Sequence, residues 1–434
     1  VVMGSLVSLG LEREVRPLFE ALAGVLHLGD VLVRSTDAGV PLELRHQSLT
    51  TAARLLGVNA GELERHVLRK RLAAGGRRGS VHEQDRTRRE AESLLRSLAV
   101  TVYRRLFESL VKRMNAALQK TCSGQSLPEA RAQAELGLLD IYGFENLEVN
   151  SLEQLLVNLT NERLQAFFLE HAVMAEQRVH LQEGLPWKEI ELADHSGVVR
   201  AVCTTLDLLD DYSRLRGRTL VDGTWFSAAS IRQGAGDNAK FLREGKGKPH
   251  GGRGQSSFLV SHYAGEVEYT SCHWPERNDA KAVPEIEALL AQSVVPLVRA
   301  LAQEPGTGRQ QPRSVSRQHR SDLETLLGRL GAYSLHFVRC FRPNRCQAPG
   351  RVDQPYLLEQ LVNCGTVQLL QVMQQTYPHR LPLDDIAARF GALLPPGLYG
   401  GSSNRTFALT LMLACGVPRG DWALGLTRLF LRAG

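Results

Sequence analysis

The stretch that decides the fold is Leu136-Gly137-Leu138-Leu139-Asp140-Ile141-Tyr142-Gly143-Phe144-Glu145, followed by Asn150-Ser151-Leu152-Glu153-Gln154-Leu155 and Asn158-Leu159-Thr160-Asn161-Glu162-Arg163-Leu164-Gln165-Ala166-Phe167-Phe168. The short apolar run before Asp140 predicts a buried strand that ends in a carboxylate. Ser151 with Gln154 three residues on is a capping-box pattern, so a long helix is predicted from Ser151 to about Glu183, closed by Gly184 and Pro186. Taken alone, an aspartate at a strand end is more often a turn than a site, so the flanking sequence has to decide.

Upstream, Val15, Leu18, Phe19, Leu22, Val25 and Leu26 predict a core-packed helix over 11–28. Shorter helices are predicted over 48–57 and 59–68, the second opened by Asn59 with Glu62. Residues 69–79 read as a basic, glycine-rich loop, and Ser80 beside it as a plain loop serine rather than a kinase site. A helix from about Glu83 to Leu118 carries the stripe Leu95, Leu98, Val102, Leu106 and Leu110; Tyr103, Phe107, Val111 and Met114 widen it, predicting a mostly buried helix. Downstream, Phe258–His262 and Glu266–Thr270 flank Ala264-Gly265 as a hairpin, with a basic loop before it at 245–257. A second basic loop spans 304–320, and Leu335–Phe341 is predicted to be a strand ended by Pro343-Asn344. The remainder reads as helical, with a Pro/Gly-rich break at 391–402 and no internal repeat.

The 434 residues suffice for two or three domains, and 43% apolar residues suffice for a sizeable core. The formal net charge of +6 suits a polyanionic partner without choosing one. Aromatics are only 6% and are not clustered, which argues against a stacking nucleic-acid binder. The seven cysteines are scattered and form no C-x-x-C pair, which speaks for a reducing compartment and against a disulfide framework or zinc site. No run of 18 apolar residues and no signal peptide is visible, and a first residue of Val1 suggests a fragment.

The quoted stretch resembles switch II and the relay helix of the myosin motor domain. Further blocks resemble that family in its own order: His262-Tyr263-Ala264-Gly265-Glu266-Val267, Phe337-Val338-Arg339-Cys340-Phe341-Arg342-Pro343-Asn344, Tyr377-Pro378-His379-Arg380 and Gly425-Leu426-Thr427-Arg428-Leu429-Phe430. Leu26-His27-Leu28-Gly29 and Leu55-Leu56-Gly57-Val58 fit upstream, so the resemblance covers essentially the whole chain. Tyr142 and the stretch from Trp187 to Asp194 look most like unconventional class XV myosins. The implied fold is α/β, a P-loop NTPase-type motor with an incomplete central sheet and many long helices. The implied division is an upper-50K-like helical remnant at 1–135, the switch II strand and relay helix at 136–186, and a lower-50K-like actin-facing region at 187–303. A loop-2-like basic loop follows at 304–320, then an actin-binding-like segment, sheet strand and thiol helices at 321–380, and the converter at 381–434.

The resemblance also implies chemistry. Asp140 would hold Mg²⁺ and, with Gly143, the phosphates of ATP, while Glu145 would pair with an arginine of switch I on closure. Ser151, Phe167, Phe168, Gly365 and Thr376 would couple that closure to the converter. The F-actin contacts would come from a helix-loop-helix near 274–303, beginning at Trp274 and Pro275, and from Arg309, Arg313, Arg317 and Arg320. A segment at about 323–345, with Leu323, Arg339 and Asn344, is also assigned to actin. Light chains or calmodulin would bind beyond the C-terminus, and the expected location is cytoplasmic, on the cytoskeleton.

Two features depart from the family. No G-x-x-x-x-G-K-[ST] loop and no switch I occur in the chain, so alone it is expected neither to bind nor to hydrolyse ATP usefully. Gln368, Gln371, Gln374, Gln375 and Thr376 replace the family's glutamate, basic residues and glycine before Tyr377. Three readings of the parent remain: a working motor, an ATPase-deficient actin tether, and a truncated product without activity.

Overall fold

The structure is a computed structural model that describes every residue except 32, 35–42, 45, 74–80, 124–135, 187–195, 217–227, 246–256, 272–273, 279–283, 304–313, 365, 376, 378, 394–402 and 433–434. The chain forms two compact bodies, one from residues 1–139 and 279–314, the other from 140–278 and 315–434.

In chain order, the first body begins with α1 (Val2–Ser8), α2 (Glu12–Gly29), the two-residue strands β1 (Val33–Arg34) and β2 (Glu43–Leu44), α3 (His46–Leu56) and α4 (Ala60–Leu68). The hairpin β3 (Arg69–Ala73) and β4 (Val81–Asp85) and the long α5 (Arg88–Ser123) follow. The second body opens with α6 (Leu152–Leu169), a π turn at Glu170–Met174, α7 (Ala175–Gln182), α8 (Ser196–Arg216) and α9 (Ala228–Ala235). The antiparallel sheet β5 (Leu242–Glu244), β6 (Ser257–His262) and β7 (Gly265–Thr270) and α10 (Trp274–Asn278) complete that run. The chain returns to the first body for α11 (Pro284–Ala291) and α12 (Pro296–Gln303). It then ends in the second with α13 (Val315–Leu330), α14 (Gln354–Asn363), α15 (Thr366–Gln375), β8 (His379–Pro382), α16 (Leu383–Gly391), α17 (Asn404–Ala414), β9 (Trp422–Leu424) and β10 (Arg428–Leu431).

The first body is a helical stack. Val15, Leu18, Ala21 and Leu28 of α2 meet Leu49, Ala52, Ala53 and Leu56 of α3, and α5 closes the core with Leu95, Leu98, Val102 and Leu106. Gly24 lets α2 approach α3, since a Cβ there would lie 2.9 Å from Leu56 Cγ. The predicted α2 stripe is too wide, because Phe19 and Leu26 are exposed. The same holds on α5, where Tyr103, Phe107 and Val111 face solvent among the described residues. Arg105 is buried on α5 because Glu287 forks its guanidinium and the Leu301 carbonyl accepts a third bond at 3.0 Å. The predicted loop at 69–79 is in part a hairpin, and Arg69 pairs across it with Asp85 at 3.3 Å and Glu83 at 3.5 Å, so charge contributes to holding the strands.

The second body packs Leu152, Leu155, Leu156 and Leu159 of α6 against α8 and the sheet faces of Phe258, Val260, Val267 and Tyr269. The expected hairpin at 258–270 is present, turning with Gly265 at φ +128°. A separate core of Leu383, Ile386, Phe407, Met412, Trp422 and Leu429 sits under the sheet of order β8-β10-β9.

Two predicted strands are absent. Residues 136–140 and 335–341 form no ladder with any described strand. Leu136 is 85% exposed, Leu138 90% and Val338 87%. Their sequences have strand character, but a strand exists only where a neighbour takes its N–H and C=O groups, and no described residue does so here.

Candidate functional site

Residues 140–149 have no regular structure, Asn150 makes one isolated parallel bridge to Tyr269, and asparagines hold the segment in place. Asn158, on the first turns of α6, accepts the Glu145 N–H on Oδ1 at 2.8 Å and donates from Nδ2 to the Glu145 carbonyl at 2.7 Å. Asn161 donates to the Tyr142 carbonyl at 3.1 Å. Asn150 closes a turn on Leu147 at 2.8 and 3.0 Å and reaches the Glu268 carbonyl of β7 at 3.1 Å. Side-chain amides therefore supply the bonds that a ladder would otherwise supply. Phe144 pins the same segment with ring contacts to His262 and Tyr263 at 5.3 and 5.7 Å.

Beneath it lies a buried polar chain. Asn158 Nδ2 reaches the Tyr269 hydroxyl at 2.7 Å, that hydroxyl reaches His262 Nε2 at 2.9 Å, and His262 Nδ1 reaches Glu162 Oε1 at 3.1 Å. The Tyr263 amide also donates to Glu162 Oε1, at 2.8 Å. Burial and the Glu162 charge push the Tyr263 hydroxyl up to about 12, against Arg339, which pulls it down. Burial likewise raises the Tyr269 hydroxyl, opposed by its bond from Asn158.

Of the predicted nucleotide residues, Asp140 and Gly143 are exposed and Glu145 half-buried; neither carboxylate makes an ion pair among the described residues. A Cβ at Gly143 would meet nothing within 4 Å, so no cradle surrounds it in this body. Among the described residues no His, Cys, Asp and Glu cluster could hold a metal ion.

The predicted coupling residues do meet along one path. Ser151 caps α6, its N–H donating to Gln154 at 2.9 Å while Arg277 bonds its hydroxyl at 2.8 Å. Phe167 stacks on His171 at 4.0 Å. Phe168 is buried between the Phe337 ring, 5.0 Å away, and the Arg339 guanidinium, 4.2 Å above its face. The far end of the helix is gripped by the C-terminal sheet. Glu183 takes the Thr427 N–H at 2.8 Å and its hydroxyl at 2.5 Å, and Glu176 pairs with Arg380 of β8. Gly365 and Thr376 lie outside the described residues.

The predicted actin set does not form one surface. Trp274 is fully buried against Phe258, Leu323 is buried on α13, and Pro275 is half-buried. Asn344 is buried because its amide ties the turn to Ala348 and Arg351 at 2.9 and 2.8 Å. Arg317 and Arg320 belong to the helix α13 rather than to a loop, and Asp210 and Asp207 neutralise them at 2.8 and 2.7 Å. Arg339 is spent on Phe168 and on Gln165, which it bonds at 3.0 Å. Arg309 and Arg313 lie outside the described residues. Within 274–303, α11 and α12 pack on each other as a helix-loop-helix in the first body, while α10, with Trp274 and Pro275, packs in the second. The residues that organise the site but were not singled out are Asn158, Glu162, Tyr269, Asp210 and Glu183. For Asn158, Glu162 and Asp210 the sequence signal was polarity at positions that the helix period assigns to the core; Tyr269, on β7, and Glu183, at the end of α7, carried none.

Among the described residues no helix is long and apolar enough to cross a membrane. The chain matches the family model for the myosin head (motor domain) over residues 2–432. It is 29% identical over 433 residues to Myosin-11 of Arabidopsis thaliana, covering 98% of this chain and 27% of that protein. It is 30% identical over 445 residues to Myosin-1 of the same plant, covering 98% and 36%. It is 29% identical over 447 residues to Unconventional myosin-VI of Homo sapiens, covering 98% and 34%. The chain thus spans roughly a third of the length of these relatives. With the match running almost end to end, this chain belongs to the myosin head (motor domain) family and has its P-loop NTPase-type α/β fold, here as many helices around small sheets.

Proposed function

We propose that this chain is part of an actin-based, ATP-driven motor of the cytoskeleton. The observation that carries the reading is a continuous, side-chain-held path. Asn158 grips the backbone of Glu145 at one end of the α6–α7 helix, and Glu183 and Glu176 grip the C-terminal sheet at the other. A change of position at Glu145 is thereby transmitted to β8 and β10.

The chain's own residues do not make a complete phosphate site. Asp140 offers a carboxylate and Gly143 an uncrowded backbone, but both are exposed, and no G-x-x-x-x-G-K-[ST] loop occurs in the sequence. Alone, the chain binds filaments without responding to nucleotide. The Arg317 and Arg320 charges are already matched by Asp210 and Asp207, so electrostatic steering rests on Arg309 and Arg313.

Co-sedimentation of the full chain with F-actin tests this. Binding is expected to weaken as salt rises and to be unchanged by ATP at constant ionic strength and free Mg²⁺. Release by ATP overturns the reading of the phosphate site. No binding at any salt favours the alternative, a truncated product without independent activity.

A further inference from the structure

The buried chain from Glu162 to Glu145 has a fixed direction. The Asn158 amide cannot be flipped, because its oxygen meets the Glu145 N–H and its nitrogen the Glu145 carbonyl. Its second N–H hydrogen therefore points at the Tyr269 oxygen, 2.7 Å away. The Tyr269 side chain is fully buried, and among the described residues its hydroxyl hydrogen has one acceptor within reach, His262 Nε2 at 2.9 Å. If Nε2 carried a proton, that hydroxyl hydrogen would be left without an acceptor in the core, which is costly. The ring proton of His262 is therefore on Nδ1, aimed at Glu162 Oε1 at 3.1 Å. Glu162 Oε1 is fixed as an acceptor independently, by the Tyr263 N–H at 2.8 Å. Both side chains are 0% exposed, so water does not substitute for either.

We propose that Glu162 is a positioning residue for the backbone at Glu145, acting through the His262 tautomer, the Tyr269 hydroxyl and the Asn158 amide. Every donor along the chain has an acceptor in one arrangement only, and that arrangement leaves Asn158 free to hold both backbone groups of Glu145. The positional role stands on hydrogen-bond geometry; its bearing on phosphate chemistry rests on the function proposed above.

The test uses the full chain and needs no nucleotide, so it can fail while the motor reading stands. Long-range proton–nitrogen correlation on chain labelled with ¹⁵N-histidine is expected to give His262 a pyrrole-type Nδ1 and a pyridine-type Nε2, assigned by the loss of that signal in His262→Gln. Glu162→Ala removes the Nδ1 acceptor. Whichever ring nitrogen then holds the proton, one buried donor, Nδ1–H or the Tyr269 hydroxyl, is left without an acceptor, so amide exchange over 143–147 should quicken about tenfold. Glu162→Gln keeps an oxygen facing both donors and should keep the proton on Nδ1 and restore wild-type exchange. A wild-type proton on Nε2, unchanged exchange in Glu162→Ala, or a Gln variant that behaves like Ala overturns the proposal. Should Glu162→Ala not fold, the wild-type tautomer and the Gln variant decide it.

Discussion

Glu183 is the latch between the α6–α7 helix and the C-terminal sheet, and its strength can be worked from its contacts. It is 9% exposed and takes two Thr427 donors, at 2.8 Å from the N–H and 2.5 Å from the hydroxyl, while its own carbonyl accepts the Leu426 N–H at 3.2 Å. Gly425 makes room for it, since a Cβ there would lie 2.5 Å from Glu183 Oε2 and 3.1 Å from the Arg428 carbonyl. Hydrogen bonds to a charged group contribute roughly 1.5–3 kcal/mol, and this one sits at a rim where water competes. Glu183→Gln keeps one acceptor oxygen and loses the charge, so a loss of about 1–2 kcal/mol is expected; Thr427→Val should cost a similar amount. Because both weaken the same hydroxyl–carboxylate contact, the double variant should lose less than the sum by about 1 kcal/mol. Gly425→Ala should weaken the latch with neither partner removed. Burial raises the Glu183 carboxyl, but the Thr427 hydroxyl and N–H and the following backbone amides hold it below its ordinary value. A depressed folded pKa means that the contribution is complete above the ordinary carboxylate range and is lost as pH falls through the folded value. The assay is amide exchange over β9 and β10 in the full chain, where about 1.4 kcal/mol reads as tenfold. Strict additivity in the cycle, or the same acid sensitivity in Glu183→Gln as in wild type, refutes the latch.

The full chain on its own is expected to self-associate, because 136–140 and 335–341 expose apolar side chains on backbone that pairs with no described strand; Val338→Lys should reduce light scattering, and a monodisperse, cooperatively melting wild-type monomer counts against this. If, as proposed, the parent is a motor whose family resemblance sets Thr376 at a glycine position, forcing that β-branched residue to φ > 0 costs roughly 1–3 kcal/mol. ATP turnover should therefore couple poorly to filament gliding and recover in Thr376→Gly; robust gliding by the unmodified motor, unchanged by the substitution, refutes it.

What could be read from the sequence was set by whether one element's own periodicity decided the matter. The stripe Leu95, Leu98, Val102 and Leu106 fixed the buried face of α5, and the Ser151–Gln154 pair fixed the start of α6. The hairpin at Gly265 followed from a local turn. Periodicity failed where the deciding partner was distant. Tyr103 and Phe107 continue an apolar stripe that no described residue covers, and Leu136 to Leu139 look like a strand but pair with no described neighbour. The site divides along the same line. Glu145, Ser151 and Phe168 could be named from the sequence because consecutive residues carry the motif. Arg317 and Arg320 were misread as free loop charges, because Asp207 and Asp210, their partners, lie on α8, more than a hundred residues away. Glu162 went unnoticed because its role is defined by His262 on another element.

The helix joining these two ends is not a uniform rod. Five residues, Glu170–Met174, form a π turn between α6 and α7. A π turn inserts one residue into the helical count, so everything beyond it is rotated by about 100° relative to an uninterrupted helix. That rotation explains how a single helix serves two different surfaces. Leu152, Leu155 and Leu159 on α6 face α8 and the hairpin sheet, whereas His180 on α7 meets Phe430 of β10, ring centroids 5.7 Å apart. The turn is itself held, with Val173 packed against Val372 of α15 and Glu170 paired with Arg178. Three fixed points therefore define the path: Asn158 at the loop, Val173 at the π turn and Glu183 at the C-terminal sheet. The middle one joins α15, the helix that leads directly to Thr376. A substitution at Val372 therefore acts where the helix changes face, and Val372→Ala should loosen the π turn while leaving the Asn158 grip on Glu145 in place.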